Sequence, residues 1–124
     1  MTTYSTLLFT IDAGIAQITL NRVESANSMN MEMGRELLAV AQHCAQDESI
    51  RAVILTGAGQ FFSAGGDLKA FAGFGDAISE RLQELTDYLH AAVSIFIRMP
   101  APMIVAVNGA AVGAGFSLAM AGDF

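Results

Sequence analysis

Apolar and polar residues alternate along this chain with two distinct periods. In IAQITL, residues 15–20, Ala16, Ile18 and Leu20 fall on every second position, the repeat of a half-buried strand. The apolar run 7–9 precedes it, and Asp12-Ala13-Gly14 between the two is turn chemistry, so the pattern predicts a β-hairpin. Residues 21–30 carry polar punctuation and read as a loop. From residue 31 to 46 the period lengthens. Met33, Leu37, Val40, Ala41 and Cys44 recur at helical spacing, with Asn30 or Ser28 placed to cap. AVILTG, residues 52–57, is a short unbroken apolar run ending in glycine, as a buried parallel strand does. Residues 57–67 form a glycine-rich loop, and Asp67 or Asp76 is placed to cap the next helix. The longest amphipathic stripe is Ile78, Leu82, Leu85, Leu89, Ala92, Val93 and Phe96. It stops at RMPAP, because proline cannot continue a helix. Residues 103–107 read as another buried strand, and an apolar helix is expected from about residue 115. Strands alternating with helices predict an α/β fold with parallel strands.

Composition sharpens this picture. At 124 residues the chain has the length of one domain. Apolar residues make up 53% and charged residues 15%, where about 25% charged is usual, so some apolar surface is expected to meet a further partner surface. The net charge of −6 and the lack of any Lys/Arg cluster exclude a nucleic-acid footprint. Cys44 is the sole cysteine, so no intrachain disulfide forms. His43 and His90 have no partners at metal-ligand spacing, and no metal is expected. The first residues alternate rather than forming a basic start and an apolar block, so no export signal is read and a cytoplasmic location is expected.

The stretch VNGAAVGAGFSLAMAGDF, residues 107–124, has three glycines within seven residues and no charge before Asp123. The uncharged tract Met99 to Gly122 that contains most of it is long enough for a bilayer span and Gly109 to Gly113 is a GxxxG spacing, but Pro100, Pro102 and Asn108 divide the tract into strand, turn and helix. A dinucleotide loop needs a small third residue where Leu118 stands. GFSLA resembles a nucleophile elbow at Ser117, yet the preceding strand ends some ten residues upstream and the expected later Asp–His pair is absent. A fourth possibility pairs the two glycine loops. Each follows a buried strand, precedes a helix, and bares backbone N–H groups. Two such groups converging on one oxygen make an oxyanion hole. The same glycines equally suit close helix–strand packing, and spacing alone leaves both readings open.

NRVESANSMN, FFSAGGDLKAF and VNGAAVGAGFSLAMAGDF, in this order and spacing, resemble the enoyl-CoA hydratase/isomerase, or crotonase, superfamily. The resemblance covers the whole chain, residues 1–124, as the N-terminal half of a crotonase-like domain. It implies an α/β spiral of ββα units with its C-terminal half absent, and an acyl-CoA thioester as substrate. Coenzyme A is then part of the substrate and no separate cofactor is implied. The thioester oxygen falls to the backbone N–H groups of Gly66 and Ala114, aided by the dipole of the helix that begins there. Ser25, Ala26, Ala64, Gly66, Asp67, Leu68, Lys69 and Ala114 correspond to the substrate and CoA wall. Full-length members associate as trimers or hexamers, with neither nucleic acid nor membrane as partner.

Two positions depart from the family pattern. Ser117 stands where hydratases carry a glutamate, and Val23 replaces the proline of the first motif. A serine does not ionise near neutral pH, so a hydration that relies on paired carboxylates is disfavoured and isomerase-like enolate chemistry is expected. Family members run to about twice this length, which implies a downstream acid/base and closing helices. The chain is accordingly expected to be a fragment that is catalytically silent alone, with a non-catalytic CoA-binding or interaction remnant as the alternative. Asp67 is expected to tie down its loop, and Ser117 to be no nucleophile.

Overall fold

The alternation along residues 15–20 becomes an inside and an outside: Ala16, Ile18 and Leu20 are fully buried, whereas Ile15 and Gln17 face outward. A computed structural model describes residues 3–124. Strand β1 (Leu7–Asp12) turns back through Ala13 and Gly14, both at positive φ, into β2 (Ile15–Leu20). The two pair antiparallel from Leu7 opposite Leu20 to Asp12 opposite Ile15. After a short 3₁₀ turn, helix α1 (Met31–Gln46) begins at Asn30, whose side-chain oxygen accepts the Met33 N–H at 2.9 Å. That satisfies one of the free donors of the first turn. Met33, Leu37, Val40, Ala41 and Cys44 are buried as the helical period demands.

Strand β3 (Ala52–Gly57) adds parallel to β2, and β5 (Met103–Ala106) adds parallel to β3, giving a four-stranded sheet in the order β1-β2-β3-β5. Within the two glycine-rich loops lie short strands that periodicity cannot register: β4 (Phe61–Ser63) and β6 (Ala110–Ala111), paired parallel in a small second sheet. Helix α2 (Leu68–Ala72) is likewise additional to the elements expected. Helix α3 (Ile78–Arg98) and helix α4 (Ala114–Ala119) complete the chain. The order is therefore β1-β2-α1, β3-β4-α2-α3, β5-β6-α4, a ββα unit three times over. In the second and third units the first strand joins the large sheet and the second strand joins the small one.

The stripe expected along α3 is only partly interior: Leu85, Ala92 and Phe96 are buried, while Ile78 is 37% exposed. Helices α1 and α3 run side by side, with Gly34 of α1 against Leu85 and Tyr88. A methyl group on Gly34 would lie 2.6 Å from Leu85 Cδ1, so the contact is close. Helix α3 is the longer, 21 residues against 16, and its first turn lies ahead of the start of α1. The core between the sheet and these helices is filled by residues including Leu7, Ile18, Leu55, Phe62, Phe96 and Met103. Among the described residues no helix is long and apolar enough to cross a membrane.

Candidate active site

The first glycine loop leaves β4 at Ser63 and enters α2 at Asp67. It is bound along its length to the loop between β2 and α1. The Ala64 N–H donates to the Ala26 carbonyl (3.0 Å), the Met29 N–H to the Gly65 carbonyl (2.6 Å), and the Asp67 N–H to the Met29 carbonyl (3.0 Å). Ala26 sits at φ 54°, which is where this tight return of the chain is made. In the parallel register of Met29 and Gly66, the N–H of Gly66 itself points away from Met29. Among the described residues it has no acceptor. Gly65, at φ 97°, supplies the left-handed bend that sets this direction.

Asp67 closes the loop. One carboxylate oxygen accepts the Ala70 N–H at 3.0 Å, capping α2, and the other meets Arg22 at 3.0 Å. Arg22 also donates to the Ser28 carbonyl at 2.7 Å and to the Ser25 hydroxyl at 3.4 Å. The hydrogen bond from Ala70 and then the Arg22 guanidinium hold the Asp67 carboxyl below the usual carboxylate range, against the opposing effect of partial burial. A carboxylate so engaged is a brace.

The second loop follows β6. Gly113 takes φ 55° and ψ −121°, and a methyl group placed on it would meet nothing within 4 Å. Its freedom serves the backbone turn and leaves open space before it. The Gly115 N–H donates to the Val112 carbonyl (2.9 Å) and the Ser117 N–H to the Gly113 carbonyl (3.1 Å). The Ala114 N–H, first in α4, has no acceptor among the described residues. The two loops touch: a methyl group on Gly65 would lie 2.8 Å from the Val112 carbonyl oxygen and 3.8 Å from the Ala114 nitrogen. Gly115 meets the other demand on glycine, since a methyl group there would lie 2.5 Å from the Ser63 carbonyl oxygen. Gly115 thus serves packing, whereas Gly113 serves the backbone turn.

Two asparagines join these loops. Asn27, fully buried, donates to the Ala58 and Phe61 carbonyls at 2.9 Å each and accepts the Arg22 N–H at 2.8 Å. Asn108 accepts the Gly57 N–H at 3.0 Å and donates to the Gly59 and Phe61 carbonyls, each at 3.1 Å.

Beside Ala114 lies a groove of about 200 Å³ between α3 and α4, lined by Thr86, Leu89, His90, Val93, Ala114, Ser117 and Leu118. Ser117 stands in its wall, hydrogen-bonded through its side chain to no described residue, and no carboxylate shares the wall. The structure therefore brings Ser25, Ala26, Ala64, Gly66 and Asp67 into one hydrogen-bonded ridge, and joins Ala114 to it through Gly65. Leu68 (78% exposed) and Lys69 continue that ridge onto the open surface of α2. Sequence reading missed Arg22 and Asn27 as the braces of the first loop, although both lie within NRVESANSMN. It also missed the α3 wall, whose partner α4 is remote in sequence. Cys44 is buried, and burial pushes its thiol up to about 12, which leaves it inert. Among the described residues no group of three His, Cys, Asp or Glu side chains could hold a metal.

The ββα unit repeated three times defines the fold class of the chain. The chain belongs to the enoyl-CoA hydratase/isomerase family, whose model matches residues 10–124. It is 43% identical over 124 residues to the protein named "Probable enoyl-CoA hydratase EchA14" of Mycobacterium tuberculosis, covering 99% of this chain and 47% of that one. It is 37% identical to the 1,2-epoxyphenylacetyl-CoA isomerase of Escherichia coli, covering 94% of this chain and 45% of that one. The crystal structure of an enoyl-CoA hydratase from Bacillus anthracis superposes with a TM-score of 0.87 at 32% identity, covering 97% of this chain and 46% of that one. The fold is that of crotonase structures, and the chain spans about half the length of the curated relatives it matches.

Proposed function

We propose that this chain contributes the oxyanion-binding half of an acyl-CoA site. The Gly66 and Ala114 N–H groups receive the thioester oxygen and the negative charge that reaches it when an enolate forms. The observation that carries this reading is the pair of unpaired backbone donors on loops in direct contact. Such donors are fixed before the reaction and need no reorganisation as charge develops, and losing one generally costs roughly 3 kcal/mol of barrier. The Ser25–Ala26 loop, Ala64 and the Asp67–Lys69 segment form the wall that takes the CoA moiety, which enters as part of the substrate and not as a separate cofactor.

The groove between α3 and α4 takes the acyl chain. Its wall contains Ser117 and no carboxylate. Isomerase-like proton transfer through an enolate is therefore favoured over a two-carboxylate hydration. The absence of that carboxylate also supports the second reading, a non-catalytic remnant that binds CoA or another protein. Val112, Phe116, Met120 and Phe124 leave apolar surface near α4, at 56%, 56%, 68% and 83% exposure. This supports burial against further protein in a full-length, cytoplasmic trimer or hexamer.

The test is spectroscopic. An enoyl-CoA with an aromatic conjugated acyl group is titrated with the chain, and its thioester absorption is followed. Two donors on the carbonyl oxygen shift electron density toward it, so the band is expected to move to longer wavelength. Binding with no shift overturns the oxyanion reading and leaves the CoA-binding remnant. No binding overturns both.

A further inference from the structure

Helix α3 presents Thr86, Leu89, His90 and Val93 at positions i, i+3, i+4 and i+7, which is one helical face. That face forms one wall of the groove that holds Ala114 and Ser117. Of the side chains lining the groove, only the imidazole is of the kind that serves as a general acid or base. Its own helix offers it no charged neighbour in the wall: Glu84 is engaged by Arg81, Arg35 and Tyr88, and Asp87 by Gln83. From α4 the groove is faced by Ala114, Ser117 and Leu118, which carry no charge. From the first loop the nearest carboxylate, Asp67, is held by Arg22 and Ala70.

The other histidine shows what a committed imidazole looks like in this protein. His43 lies 3.3 Å from Asp47 and edge-on to Phe9, with ring centroids 5.4 Å apart. His90 makes no side-chain hydrogen bond or ion pair with any described residue. It is exposed and lines the groove.

We propose that His90 is the proton carrier of this site. The proposal rests on the oxyanion reading above. With the thioester oxygen on the Gly66 and Ala114 N–H groups, the acyl chain of a 3-enoyl thioester extends into the groove past His90. The neutral imidazole takes a proton from C2. The C2–H electron pair moves into the enolate, and the resulting imidazolium returns the proton to C4 as the double bond shifts from C3–C4 to C2–C3. Atoms and electrons balance within substrate and protein, and no oxidant, metal or water is consumed. An imidazole is suited to both halves of the exchange because one ring nitrogen can accept a proton and give it back. The hydroxyls of Thr86 and Ser117 are not. The motif residues alone imply a silent chain; His90, which lies outside those motifs, implies slow proton exchange by the 124-residue chain itself.

The chain is incubated in D2O with a short 3-enoyl-CoA, and deuterium entering C2 and C4 is followed by NMR beside the absorption shift of the aromatic thioester. Wild type is expected to exchange C2 protons above background. H90Q is expected to lose that exchange by on the order of 10²-fold, the scale of acid–base assistance, while keeping the absorption shift. H90A, which keeps a good helix former in α3, is expected to recover exchange when free imidazole is added, with its circular dichroism unchanged. Wild-type exchange undiminished in H90Q overturns the proposal. An absorption shift without exchange in wild type also overturns it and leaves the oxyanion reading standing. No shift at all removes the oxyanion reading and the proposal with it.

Discussion

Gly66 in the loop before α2 is fixed by polar contacts, with Arg22 on Asp67 at 3.0 Å and three backbone bonds to the loop between β2 and α1. Ala114 in the loop before α4 is fixed by shape. Gly115 is pressed on Ser63, Gly113 turns through a conformation open to glycine, and no charged side chain lies between β6 and the end of α4. Both arrangements leave one N–H free. Under the proposed function the first loop borders the charged CoA moiety, where a guanidinium and a carboxylate are tolerated. The second then borders the acyl chain, where unpaired charge beside apolar substrate is costly.

Substitutions can break each arrangement separately. The largest effect is expected from Gly115→Ala. The added methyl group would lie 2.5 Å from a backbone oxygen that cannot swing aside, and overpacking of this kind costs typically 1–3 kcal/mol. Urea unfolding should place the loss near the top of that range, about 3 kcal/mol, with the absorption shift abolished.

Gly113→Ala should cost less, roughly 1–2 kcal/mol, since its methyl group meets open space and only the backbone conformation is strained. Its sharper signature is a misdirected Ala114 N–H: CoA binding retained, with the absorption shift reduced.

Asp67→Asn keeps an oxygen for the α2 cap and loses the ion pair. We expect a loss of about 1 kcal/mol at neutral pH, because the pair is largely shielded but reaches the surface. Its pH dependence is diagnostic. The folded state holds the Asp67 carboxyl below its ordinary value, so its contribution is full above the unfolded carboxylate range, about 3.9. The contribution is lost as pH falls through the lower folded value. The stability difference between wild type and Asp67→Asn should therefore narrow only in that acid window.

The smallest effect belongs to Ser117→Ala, within about 0.5 kcal/mol of wild type by the same unfolding assay. A fluorophosphonate probe should leave Ser117 unlabelled, since its hydroxyl is hydrogen-bonded to no described residue, His90 included. Labelling would restore the hydrolase reading.

The sequence made legible whatever repeats locally. The hairpin, the Asn30 cap, the buried face of α1 and the runs that became β3 and β5 all follow from periods of two or 3.6 and from capping chemistry. Gly66 and Ala114 come from the resemblance alone; that their N–H groups have no acceptor among the described residues is a property of the folded loops, not of any local period. Strands β4 and β6, at three and two residues, are too short to carry a period and exist because the main-sheet strands set them side by side. The inner limit of α3 depends on where α1 begins, which no window along α3 contains. His90 gave no local signal either: its place in the groove wall depends on α4, more than twenty residues later, arriving across the groove.

The Phe61 carbonyl oxygen accepts from both Asn27 and Asn108, one from the segment before α1 and the other from the segment before β6. A single atom is thus the shared anchorage of both loop segments. Neither loop can drift without straining the bonds that hold the other, so thermal openings of the two become one event. The amide hydrogens of Arg22 and Gly57, which these asparagines protect, would then exchange with solvent in step, as members of one cooperative unit.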